Sequence, residues 1–107
     1  MAKETVNLSE INLDDLPQRK SVYAIFAQSK DNLEPINCRY VGETDNLEER
    51  TKVHFNEEKE QNECLKEFMQ SSKTKIMIYE LLPNTDKQER LKKEESWIKL
   101  YKPKCNE

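Results

Sequence analysis

Residues 21–42 read SVYAIFAQSKDNLEPINCRYVG, and this stretch decides the fold. The residues from Lys20 to Ala27 are mostly β-branched, aromatic or small and contain no strand breaker, which predicts a β-strand. Gln28 to Pro35 contains polar, turn-forming residues and predicts a loop. Ile36 to Gly42 predicts a second strand. Two strands joined by one connecting loop favour an antiparallel hairpin.

The segment after Gly42 predicts two helices. Asp45, with Glu48 three residues later, has the pattern of a capping box and predicts a helix that runs to about Phe55. Apolar residues at helical spacing predict a second helix, roughly from Gln61 to Gln70. The charged residues between the two helices predict a loop or a frayed helix end.

A strand and a long helix are expected to complete the chain. Lys75 to Leu82 is apolar on both alternating faces and therefore predicts a central, well-covered strand. Thr85 with Gln88 predicts the start of a helix that reaches Tyr101 and is stopped by Pro103.

The order of these elements, ββααβα, predicts a small α/β sandwich. Helices would flank a three-stranded antiparallel sheet, and residues 5–16 would be a polar lead-in closed by Pro17. The 107 residues have room for one domain, which we assign to residues 1–107, and for one modest core.

The composition restricts the classes of partner. A net charge of −3 argues against a nucleic-acid binder, because contacts to phosphate need Lys and Arg. Residues 86–104, however, hold seven Lys or Arg and four Asp or Glu, which predicts a local basic patch. No stretch approaches the roughly 20 apolar residues that span a bilayer, and the first five residues lack a secretion-signal pattern. We therefore expect a cytoplasmic protein without membrane contacts.

Two rare residue types give further expectations. Cys38, Cys64 and Cys105 are an odd number of widely spaced cysteines, which predicts thiols rather than a disulfide framework or a zinc site. Gly42 is the only glycine. It is expected where a side chain would clash or where φ must be positive.

Glu94 is a carboxylate on the apolar face of the last predicted helix. At about 100° per residue, it falls within the arc formed by Leu91, Trp97, Ile98 and Tyr101. Such a carboxylate is costly to bury unless it is paired or binds a metal. It can therefore pair with an internal Lys or Arg, face water at the rim of the core, or bind Mg²⁺ together with water and phosphate oxygens.

Arg50 and His54 are neighbours on the first predicted helix because they are four residues apart. Arg50 can form an ion pair with Glu48, Glu49 or Glu94, or it can bind a phosphate. His54, the only histidine, can be a surface or satisfied interior residue. Because its ordinary pKa is near neutrality, it can also relay a proton.

Tyr23 and Tyr40 lie on the two strands of the predicted hairpin. Their rings can simply pack on one face of the sheet. Alternatively, both hydroxyls reach a site beside Glu94, where a divalent cation would help a phenol to lose its proton or to hold a water.

Six motifs occur in an order that resembles a known family. They are Leu16-Pro17 with Ser21-Val22-Tyr23, Tyr40-Val41-Gly42, Arg50, His54-Phe55, Glu94-x-x-Trp97-Ile98-Lys99 and Pro103-x-x-Asn106. Over about residues 16–106 they resemble the GIY-YIG nuclease family, whose members include a bacterial DNA-repair incision protein and phage homing endonucleases.

The resemblance implies a role for each matched residue. Tyr23 would be the general base or would position water, with help from His54, and Tyr40 would bind the phosphate or the attacking water. Arg50 would stabilise the charge that develops on phosphorus. Glu94 would hold Mg²⁺ or Mn²⁺. The two supporting residues of the site would be Gly42 and Asn106.

The resemblance also implies a function: a metal-dependent endonuclease that hydrolyses DNA through attack by water. DNA is the implied partner, and a protein partner would supply specificity that family members usually obtain from an additional DNA-binding domain. The alternative is a catalytically inactive nuclease-like module that binds nucleic acid or protein. The oligomeric state is left open by the sequence.

Overall fold

The computed structural model describes residues 3–28 and 35–106. Residues 29–34 of the predicted loop lie outside these ranges. The strands are β1 (Glu4–Asn7), β2 (Ser21–Gln28), β3 (Pro35–Thr44) and β4 (Thr74–Leu81). The helices are α1 (Leu47–Phe55), α2 (Glu63–Met69) and α3 (Lys87–Tyr101).

The strands form one antiparallel sheet in the order β1-β4-β2-β3. The predicted hairpin of β2 and β3 is confirmed, and so is the central position of β4. The prediction of three strands was wrong, because Glu4–Asn7 pairs with β4. This segment has one strongly apolar residue, Val6, which is too weak a local signal. Its strand forms because β4 otherwise offers an open edge of backbone donors and acceptors.

Strand β2 is buried on both faces and separates two hydrophobic clusters. Tyr23, Ile25 and Ala27 face the cluster that receives α1 and α2. Their neighbours Val22, Ala24 and Phe26 face the cluster that includes Trp97 of α3. The helices therefore cover opposite faces of the sheet, as expected for a small α/β sandwich.

Both predicted helix caps are displaced by one residue. Asn46, rather than Asp45, caps α1, and its side chain accepts a hydrogen bond from the backbone of Glu49. Asp86, rather than Thr85, caps α3 and forms a capping box with Glu89. The predictions failed because two adjacent residues can each serve as a cap, and tertiary packing selects between them. Helix α2 is capped by Asn62 and is shorter than predicted.

The chain after α3 folds back along β3. The amides of Lys104 and Cys105 donate to the carbonyls of Cys38 and Arg39, over 3.1 and 2.7 Å. Cys105 forms a disulfide with Cys64 of α2. The prediction of thiols was wrong for these two cysteines, because a pair separated by 41 residues leaves no local pattern. Cys38 is free and buried.

Within residues 3–28 and 35–106, no helix is both long and apolar enough to cross a bilayer.

Candidate active site

Two phenol rings and one imidazole meet on the sheet face that receives α1. The ring centroids of Tyr23 and Tyr40 are 6.1 Å apart, and His54 lies 5.6 Å from Tyr23 and 5.3 Å from Tyr40. The Tyr23 hydroxyl is 2.6 Å from His54 Nε2. The strand pairing places Tyr23 opposite Gly42, so that the two tyrosines are diagonal neighbours.

Gly42 lets the two phenols lie close to the backbone of β3. A Cβ at this position would be 2.5 Å from the Tyr23 hydroxyl and 2.9 Å from Cε2 of Tyr40. Its φ is not positive. Of the two reasons predicted for this glycine, the steric one is therefore correct.

His54 is a fully buried residue of α1, and both of its ring nitrogens have partners. Nδ1 contacts the Glu60 carboxylate, which the sequence did not single out. Burial lowers the pKa of His54, although Glu60 opposes this shift. Burial acts to raise the pKa of Glu60, but hydrogen bonds from Asn62 and His54 outweigh it and lower that pKa. Near neutral pH both shifts favour a neutral imidazole beside an ionised carboxylate.

Glu60 escaped the sequence analysis because it lies in a charged segment without periodicity. Four of its neighbours are charged, and nothing local distinguishes it from them. The structure leaves it 6% exposed while residues 56–59 are exposed. The only signal that could have found it is its position six residues after the single histidine, and that spacing is not a known motif.

Arg50 lies one turn before His54 and interacts with both phenols. Burial raises the pKa of Tyr23 well above its ordinary value and also raises that of Tyr40, while the Arg50 guanidinium acts in the opposite direction on each. Within the described ranges, Arg50 forms no ion pair with a carboxylate. The predicted pairing with Glu48, Glu49 or Glu94 is therefore not found. Its other side is open to solvent.

Glu94 is half-buried on α3 and belongs to the same site as Tyr40 and Arg50. Burial raises its pKa, and the nearby Glu43 carboxylate raises it further. Among the described residues no Lys or Arg forms an ion pair with Glu94. Two cations of α3 that line the same cleft are used elsewhere: Arg90 and Lys87 bind Glu43, over 3.1 and 2.9 Å.

The apolar arc predicted for α3 needs one correction. Leu91 is 37% exposed, whereas Arg90 is buried. The helix is rotated so that Arg90 and Trp97 face inward, because the guanidinium can bind Glu43 Oε1 and the Thr85 carbonyl there. Glu94 remains on the inward side in this rotation.

A cleft of about 470 Å³ opens beside the first helix and the last helix. Tyr40, Arg50 and Glu94 line it together with Glu43, Thr44, Asp45, Asn46, Glu49, Val53, Lys87 and Arg90. Tyr23 does not line it and is 1% exposed. The expectation that both hydroxyls reach the site beside Glu94 therefore holds for Tyr40, while Tyr23 lies behind it with His54.

Asn106 joins the chain after α3 to the second tyrosine motif. Its Oδ1 accepts from the amide of Val41 over 2.8 Å, and its Nδ2 donates to the Val41 carbonyl over 2.9 Å. Because Val41 lies between Tyr40 and Gly42, this pair of hydrogen bonds holds the strand that carries both residues.

The donors for a metal ion are few. Within the described residues, no group of three His, Cys, Asp or Glu is placed to hold a metal. Glu94 is a half-buried carboxylate in a water-accessible cleft, and no cation in the described part of the chain forms an ion pair with it. This arrangement fits an ion such as Mg²⁺, which takes one or two protein carboxylates and fills its other positions with water and phosphate oxygens.

The comparison with protein families covers the whole of this site. The model of the GIY-YIG catalytic domain matches residues 19–106, which include both tyrosines, Arg50, His54, Glu94 and Asn106. A comparison with curated proteins gives no match. The match covers most of the chain. Of the residues expected from the resemblance, Tyr40, Arg50 and Glu94 line the cleft, while Tyr23 and His54 lie behind it. The chain belongs to the GIY-YIG nuclease family.

Proposed function

We propose that this protein is a metal-dependent endonuclease that hydrolyses phosphodiester bonds of DNA. Membership of the family indicates a nuclease-type hydrolase. The observation that carries the finer proposal is the arrangement of the cleft. The phenol of Tyr40, the guanidinium of Arg50 and the carboxylate of Glu94, which forms no ion pair with any described residue, share one solvent-accessible space.

The charges of the cleft support a requirement for a divalent ion. Four carboxylates line it (Glu43, Asp45, Glu49 and Glu94), against three cationic side chains (Arg50, Lys87 and Arg90). Two of these cations already bind Glu43. A phosphate would therefore meet a net negative surface unless Glu94 held Mg²⁺ or Mn²⁺. Such an ion would supply positive charge to the phosphate oxygens and lower the pKa of a bound water.

Arg50 has the geometry to bind the phosphate. Its guanidinium is open to the cleft on one side and lies against the phenols on the other. A planar guanidinium forms paired hydrogen bonds with phosphate oxygens and keeps its charge at every accessible pH. It would stabilise the negative charge that increases on these oxygens during attack by water.

The two tyrosines have different positions and, we propose, different tasks. Tyr40 lines the cleft, so its hydroxyl would contact the attacking water or the phosphate directly. Tyr23 lies behind it with its hydroxyl bonded to His54 Nε2. A neutral imidazole can accept a proton near neutral pH, so Tyr23 and His54 would receive the proton that the water loses.

Cleavage assays test this proposal. Plasmid DNA, single-stranded DNA, branched DNA and RNA would each be incubated with the protein and Mg²⁺ or Mn²⁺. We expect cleavage of a DNA substrate only with a divalent ion. Arg50→Ala and Glu94→Gln should each reduce the rate about 10²-fold or more.

Glu95→Gln is the matched control for Glu94→Gln. Glu95 is the next residue of α3, is exposed and pairs with Lys99 over 3.6 Å. The Glu95→Gln variant should cleave DNA at the wild-type rate. Equal cleavage by the wild type and Glu94→Gln would contradict the role of Glu94, and cleavage of RNA alone would contradict the proposed substrate.

The net charge of −3 favours a second candidate, a nuclease-like module that binds without cleaving. This candidate predicts no cleavage of any nucleic acid under these conditions. A titration with Mn²⁺ shows whether a protein that does not cleave still binds the ion. Weak binding of Mn²⁺ by the wild type that disappears in Glu94→Gln would show a functional metal site in a protein that does not cut.

A further inference from the structure

Glu60 is held in one orientation by contacts to both carboxylate oxygens. Oε1 contacts His54 Nδ1, and Oε2 accepts from the backbone amide of Asn62 over 2.9 Å. The turn that carries it is fixed as well, because the amides of Lys59 and Glu60 donate to the Asn56 carbonyl over 3.0 and 2.9 Å. The side chain is 6% exposed.

These contacts decide the tautomer of the imidazole. An ionised carboxylate can only accept hydrogen bonds. His54 must therefore carry its proton on Nδ1, which donates to Glu60. Nε2 is left with a lone pair, so the hydroxyl of Tyr23 must be the donor in the 2.6 Å bond between them. The hydrogen bonds run in one direction, from Tyr23 to His54 to Glu60.

We propose that Glu60 is a positioning residue that sets this direction and so prepares Tyr23 to accept a proton. The catalytic part of this inference rests on the proposed nuclease function. Because its own proton is engaged by His54, the Tyr23 oxygen can act only as an acceptor toward its other neighbours, among them the Arg50 guanidinium. A proton that water releases in the cleft and that is passed inward would bond to that oxygen as the original Tyr23 proton moves to His54 Nε2. The imidazolium formed in this step would be stabilised by the adjacent Glu60 carboxylate.

A purely structural role for Glu60 would be to tie the turn to α1. Glu60→Gln distinguishes the two roles because it keeps the shape of the side chain. The amide of Asn62 still needs an acceptor, so the Gln oxygen would take that position. The Gln NH₂ would then face His54 Nδ1 as a donor. The imidazole proton would have to move to Nε2, and the hydrogen bond to Tyr23 would reverse.

Nitrogen-15 NMR can observe this reversal directly. His54 is the only histidine of the chain, so protein labelled with ¹⁵N-histidine has a single imidazole. At a pH of about 8, above the ordinary histidine pKa, the wild type should show a protonated Nδ1 and an unprotonated Nε2. Glu60→Gln should show the opposite pattern. Glu58→Gln is the matched control, since Glu58 lies in the same turn and is exposed; it should match the wild type.

Two results would overturn the positioning role: a wild-type imidazole with its proton on Nε2 or on both nitrogens, or an unchanged tautomer in Glu60→Gln. The wild-type measurement decides the first point even if the variant does not fold.

Kinetics test the catalytic consequence. Glu60→Gln should reduce kcat about 10²-fold or more with little change in KM, and Glu58→Gln should change neither. A reversed tautomer with full kcat would overturn the catalytic part of the inference. Absence of cleavage by the wild type would instead contradict the proposed function, while the NMR pattern would still decide the positioning role.

Discussion

Gly42 shows how a single hydrogen atom in place of a methyl group shapes this site. The phenols of Tyr23 and Tyr40 both lie so close to Gly42 that a Cβ at this position would overlap with them. Two aromatic rings can therefore converge on one point of the backbone, where Arg50 reaches both hydroxyls.

Gly42→Ala should displace the phenols and destabilise the protein. The added Cβ would be 2.5 Å from the Tyr23 hydroxyl, which is itself held by His54. Such overpacking costs about 1–3 kcal/mol, measured by urea unfolding, and cleavage should fall with it. A Gly42→Ala variant with wild-type stability and cleavage would contradict a steric requirement for glycine at this position.

The elements of this fold are joined by contacts between residues that are far apart in the chain. Helix α2 holds Cys64, and its cap Asn62 donates to the Cys105 carbonyl over 2.8 Å. Asn106 follows directly and binds both backbone groups of Val41. The disulfide therefore fastens the segment that supports the second tyrosine motif.

Reduction of the disulfide should destabilise the protein by about 2–4 kcal/mol, because the unfolded chain gains freedom when a long loop is opened. Urea unfolding with and without a reductant measures this difference. The double variant Cys64→Ser/Cys105→Ser is the control and should not respond to the reductant. Burial raises the pKa of Cys38 to about 12, so its thiol should not exchange with the disulfide. Equal stability of oxidised and reduced wild type would contradict the prediction.

At the scale of the whole molecule, the buried imidazole of His54 and the carboxylate of Glu60 make the free energy of unfolding depend on pH. Burial lowers the pKa of His54 below its ordinary value of 6.5. Below that value the unfolded state binds a proton that the folded state does not bind, so the free energy of unfolding decreases as pH falls. The contribution is fully present above the unfolded pKa. The lowered pKa of Glu60 acts in the same sense at more acidic pH.

The stability of the wild type should therefore fall between about pH 8 and pH 5, as measured by urea unfolding at several pH values. His54→Gln should show a smaller decrease across the same range, because it removes the group that takes up the proton. A wild-type stability that is constant or increases toward acid would contradict a buried neutral histidine.

Several features of the fold were predictable because their causes are local. The unbroken apolar run of β2 reflects burial on both faces, and the inward Glu94 follows from the period of α3. The ordered motifs identified the family and placed Tyr40, Arg50 and Glu94 in one site. Strand β1 was missed, since one apolar residue in four gives no periodic signal.

The sequence by itself determined the hairpin, the family and the residue types of the site, because periodicity and motif spacing are properties of neighbouring residues. Only the tertiary structure decided that Tyr23 lies behind Tyr40, that Cys64 meets Cys105 and that Glu60 contacts His54. These contacts depend on how helices and the returning chain pack on the sheet. Packing brings together groups whose local sequences do not indicate that they will meet. It buries and orients the carboxylate of Glu60, although Glu60 is one of many charged residues.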